Sequence, residues 1–98
     1  MKIPEKVKIL YKEYSVSEID NLHNEYGDLY GEIRYLPEKI SLNAISSNEQ
    51  KKATLIHEIV HGMDEMYNIG LKEKQVEKLG NAFYMLIQDN PQLFEVEE

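Results

Sequence analysis

The chain has 98 residues, 42% hydrophobic and 30% charged, with a net charge of −7 and no cysteine. That is material for a single domain from 1 to 98, and the acidity argues against a nucleic-acid binder, which needs a basic footprint. Disulfides and thiolate metal sites are excluded, no apolar run reaches membrane length, and "MKIPEKVKIL" lacks a signal peptide's apolar stretch, so a cytoplasmic protein is expected.

The first half reads as strands. In "KVKILYKEYSV" (6–16), Val7, Ile9 and Tyr11 alternate, then Tyr14 and Val16 fall on the other parity, which suggests a bulge near Lys12 and Glu13. "NLHNEYGD" (21–28) is polar and reads as a loop. "LYGEIRYL" (29–36) and "KISLN" (39–43) alternate again and are joined across Pro37–Glu38 as a hairpin.

The second half reads as two helices. Ser46 with Glu49, or Ser47 with Gln50, fits a capping box and starts a helix near residue 48. It runs to about Tyr67 and stops at "NIG", where Gly70 suits a left-handed cap position. A second helix covers about 72–89, ended by Asn90–Pro91. The expected fold is α+β: a small antiparallel sheet of about three strands followed by two packed helices.

The first helix carries "HEIVH", His57 to His61. At about 100° per residue, His61 lies about 40° and Glu58 about 100° from His57, while the apolar residues from Leu55 to Tyr67 fill the arc from about 160° to 300°. Both imidazoles thus border the buried stripe. Their spacing lets them reach one tetrahedral ion, with Glu58 pointing past it toward a bound water. The plainer reading is an amphipathic helix with two chance histidines, so a third ligand has to be found.

His23 lies in the polar loop and is the weaker choice. On the second helix, Glu77, Asn81, Tyr84 and Glu73 form a polar stripe beside an apolar arc of Val76, Leu79, Phe83, Leu86 and Ile87. Two packed helices would bring His57, His61 and Glu77 together. Glu73, one turn earlier, competes. Glu77 is preferred because Asn81 follows it by one turn and could orient it, as Asp64 could orient a histidine.

The stretch "LYGEIRYLPEKISLNAISSNEQKKATLIHEIVH" followed by "VEKLGNAFYMLI" resembles the ImmA/IrrE family of metallo-endopeptidases, gluzincin-type H-E-x-x-H…E zinc proteases. Ile40, Leu42 and Asn43 match the family's I-x-[IL]-N strand, and Glu77, Asn81 and Phe83 match its E-x-x-A-N-x-F helix. Val60, Gly80 and Tyr84 depart from the residues usual there, and none of these changes removes a ligand. The resemblance covers about residues 29–88, and the small size is similar to that of stand-alone phage members. It implies a zincin-like domain with one zinc on His57, His61 and Glu77, and Glu58 as catalytic base.

The chemistry so implied is peptide-bond hydrolysis by a zinc-bound water that Glu58 deprotonates. Tyr84 is the first choice for the oxyanion donor, ahead of Tyr67 and His23. The substrate is expected as an extended polypeptide pairing with the strand near Gly31, where a glycine admits close approach of another backbone. The rival expectation is a zinc-stabilised binding module without turnover. Glu58 argues against it, because a purely structural site has no use for a carboxylate that is not a ligand.

Overall fold

The computed structural model describes residues 1–94. Its first element, β1 (Lys6–Ile9), turns back on itself through Leu10 and Tyr11 into β2 (Lys12–Ile19), with Ile9 opposite Lys12. The change of parity seen in the sequence is therefore a two-residue hairpin turn, with Leu10 at φ 56°, and not a bulge. A short ribbon follows, β3 (His23–Asn24) paired with β4 (Gly27–Asp28), where a loop was expected. β5 (Gly31–Arg34) and β6 (Lys39–Asn43) then form the anticipated hairpin, with Glu38 at φ 55° in its turn.

The main sheet has four strands in the order β1-β2-β6-β5. β6 runs parallel to β2, from Ser15 opposite Lys39 to Ile19 opposite Asn43, so the sheet is mixed rather than wholly antiparallel. The parallel pairing leaves β5 at an edge. The chain joining the two strands carries the ribbon and β5. Asn43 pins this segment: its buried carboxamide donates to the carbonyls of Leu22 (3.3 Å) and Leu29 (2.9 Å) and accepts from Ile45 N–H (3.2 Å).

Helix α1 (Asn48–Tyr67) starts at Ser47, whose Oγ accepts from Gln50 N–H at 3.2 Å, and ends with Asn68 in the left-handed region. Its apolar face covers the sheet, packing Leu55 into a core with Ile9, Tyr14, Ile40 and Leu42. Asp64 holds the turn that follows. Its Oδ1 accepts from Gly70 N–H (2.7 Å) and Leu71 N–H (2.9 Å).

Helix α2 (Glu73–Asp89) returns antiparallel along α1, with Gly80 on His57 and Tyr84 reaching back to Glu49. Its buried ridge is Val76, Gly80 and Tyr84; Leu79, Phe83 and Leu86 are about 40% exposed and do not form the inward arc. Gly80 lies where the helices come closest. A Cβ there would stand 3.3 Å from His57 Cα, a tight contact, so the glycine eases this approach. A short 3₁₀ turn, Pro91–Phe94, closes the described chain.

Candidate metal centre

His57 and His61 lie on consecutive turns of α1 with ring centroids 4.9 Å apart. The carboxylate of Glu73, at the start of α2, spans them: Oε1 is 3.3 Å from His57 Nε2 and Oε2 is 3.2 Å from His61 Nε2. One ligand atom from each of the three residues falls within 4.8 Å of the others, a group that could hold a metal ion.

The carboxylate at this point is Glu73, where the sequence reading preferred Glu77. The rotation of α2 is the reason. With Val76 at 0°, the ridge runs to Gly80 at about 40° and Tyr84 at about 80°. Glu73 lies at about 60°, in the middle of the face that meets α1, and Glu77 at about 100°, on its flank. Asp64 contributes here too, by fixing the turn from which Glu73 projects rather than by orienting a histidine.

Glu58 is 7% exposed, and burial raises its pKa to about 7, with the charges of Glu73 and then Glu32 adding to the effect. The carboxyl opens on two adjoining hollows. One, of about 300 Å³, lies between α1, α2 and the Tyr30–Gly31 segment and has Glu77 and Asn81 in its wall. The other, of about 380 Å³, runs along β5 past Glu32, Tyr35 and His61. Gly31, His57, Glu58 and Glu73 border both, so the three-residue group sits within one open groove.

Gly31 is an ordinary paired strand residue opposite Leu42. Its lack of a side chain serves α1: a Cβ would collide with Thr54 Cγ2, lie 3.0 Å from Ser41 O and stand 3.5 Å from Glu58 Oε2. The close approach anticipated at this glycine is made by the protein's own helix.

The expected oxyanion donor is elsewhere. Tyr84 is buried against the first turn of α1, where its hydroxyl donates to the Glu49 carboxylate, and that bond, with burial, pushes its pKa up to about 12. It borders neither hollow. Tyr67 is the exposed last residue of α1, and His23 Nδ1 is 2.6 Å from Asn21 O on the ribbon. Two tyrosines do line the groove: Tyr30, exposed just before β5, and Tyr35, just past it, whose hydroxyl is 3.5 Å from the His61 carbonyl. Sequence reasoning did not consider Tyr35, because strand parity alone gave no reason to set it beside a helix residue.

Comparison with protein-family models, curated proteins and solved structures finds no match to this chain. Among the described residues, no helix is long and apolar enough to cross a membrane.

Proposed function

We propose that the protein is a zinc-dependent endopeptidase, with His57, His61 and Glu73 as ligands and Glu58 as general base. The observation that carries this reading is a buried carboxyl set beside two imidazoles and a carboxylate in one open groove. The donor set suits zinc. Two imidazole nitrogens and a carboxylate are ordinary zinc ligands, and one ligand atom from each residue lies within 4.8 Å of the others. The resemblance to ImmA/IrrE peptidases in the strand and helix motifs supports the same chemistry, with the carboxylate ligand moved to Glu73.

When bound, zinc acts as a Lewis acid toward a carbonyl and lowers the pKa of a coordinated water. Glu58 does the proton work. Its carboxylate takes a proton from the attacking water as the oxygen bonds to the peptide carbon. It returns that proton to the amide nitrogen as the C–N bond breaks. The low-exposure setting of Glu58 keeps bulk water from competing for that proton.

β5, at the sheet edge, gives the substrate a place to lie. An extended peptide added there would run along the groove past Gly31 and Glu58, with main-chain pairing supplying affinity.

The experiment is cleavage of a broad peptide library by zinc-loaded wild type and Glu58→Gln. The wild type should cleave. The variant should hold zinc equally and lose at least about a hundredfold in rate. No cleavage by zinc-loaded wild type would leave a metal-stabilised binding module as the better reading.

A further inference from the structure

The hollow between α1 and α2 has a use beyond access to the metal group. Its wall includes Glu77, Gln50 and Asn81 together with Glu58, and no lysine or arginine. Glu77 takes part in none of the ion pairs among the described residues, whereas Glu13, Glu18 and Glu49 each face a lysine. Gln50 Nε2 donates to Thr54 Oγ1 at 3.0 Å, which leaves its Oε1 available as an acceptor. Glu58, more than nine-tenths buried and hydrogen-bonded by no described residue, opens on the same hollow. The wall therefore carries three carboxylates and no cationic side chain, and with Glu73 committed to an ion and Glu58 to the reacting water, Glu77 is the carboxylate free to meet a cation.

We propose that this hollow is a subsite for a cationic side chain, lysine or arginine, of the peptide held in the groove, with Glu77 as its recognition residue. The inference rests on the peptidase reading for the presence of a peptide, and on the wall's chemistry for the charge of its side chain. Glu77 stands one turn beyond Glu73 on α2, so the recognised residue lies close to the bond set for hydrolysis. Asn81, one turn further, offers a neutral acceptor to the same ammonium or guanidinium group. Glu77 is thereby a specificity residue and not a metal ligand.

The test uses the full chain, zinc-loaded and carrying Glu58→Gln so that peptides stay intact, titrated with labelled peptide pools that differ only in lysine or alanine content. The lysine pool should bind about two- to fivefold more tightly, as expected for a partly exposed ion pair. Adding Glu77→Gln should abolish that preference while zinc remains at one per chain and the melting temperature is unchanged. A preference that survives Glu77→Gln, or none at the outset, would overturn the proposal. So would release of zinc by Glu77→Gln, which would make Glu77 a ligand, or a second zinc lost with it. Failure of the two readings is separable. Glu77-dependent lysine binding without cleavage by wild type sinks only the peptidase, and cleavage without cationic preference sinks only the subsite.

Discussion

Glu73 Oε2 stands 3.2 Å from His61 Nε2, joining the first turn of α2 to the middle of α1. A metal ion held at this point would tie together two helices that otherwise meet along the ridge of Val76, Gly80 and Tyr84. An ion that binds only the folded chain stabilises it by about 4 kcal/mol at a thousandfold excess over its Kd. Chelation should therefore lower the melting temperature by many degrees, and added zinc should restore it. An unchanged melt after confirmed metal removal would contradict the link between the ion and the fold.

Gly31→Ala should destabilise the protein by about 1–3 kcal/mol, because the new methyl overlaps Thr54 Cγ2 and crowds Ser41 O. The same change moves α1 relative to β5 and so disturbs Glu58. Denaturant melts should show the loss, and the double variant Gly31→Ala, Thr54→Ser, which removes the methyl it meets, should recover part of it.

Glu58 predicts a pH effect in the metal-free protein. Its folded pKa, about 7, is above the ordinary value of 4.5, so the folded state holds the proton more tightly than the unfolded chain. The contribution to stability is then full below about 4.5 and is lost as the pH rises to about 7. Glu58→Gln has no charge to bury. In chelator, the variant should gain on wild type across that window by on the order of 3 kcal/mol, and the difference should level off above it. Parallel stability curves for the two proteins would show that the carboxyl is solvated.

Tyr14 is wholly buried in the core, and its hydroxyl finds no partner among the described residues. Removing the oxygen abolishes an unpaired polar group and leaves the ring packing intact. Tyr14→Phe should leave stability unchanged or raise it by about 1 kcal/mol. A loss above about 1 kcal/mol would mean that the hydroxyl is bonded in solution.

The class of fold was readable because both periods are clean: alternation in "KISLN", helical spacing from Asn48 to Tyr67, and caps at Ser47 and Asn90. The turn at Leu10 and Tyr11 was not, since it lacks the glycine or asparagine that usually marks a left-handed position. The parallel pairing of β2 with β6 is a long-range choice that local pattern does not encode. At the metal group, His57, Glu58 and His61 follow from one helix's spacing, so their relation was legible. The third member depends on how α2 is rotated, and that follows from the ridge of Val76, Gly80 and Tyr84 that meets α1, with Gly80 against His57. A wheel drawn through the most apolar arc pointed Leu79, Phe83 and Leu86 inward and left Glu73 and Glu77 on one bordering stripe, where Asn81 one turn on favoured Glu77. The same rotation buries Tyr84 against Glu49, away from the groove it was expected to serve.

Native mass spectrometry of zinc-loaded wild type, Glu73→Ala and Glu77→Ala tests the central claim most directly, because it reads the ligand set without requiring a substrate. One zinc per chain is predicted for wild type and for Glu77→Ala, and none for Glu73→Ala at the same free zinc. Zinc retained by Glu73→Ala and lost by Glu77→Ala, or absent from wild type, would contradict the site described here.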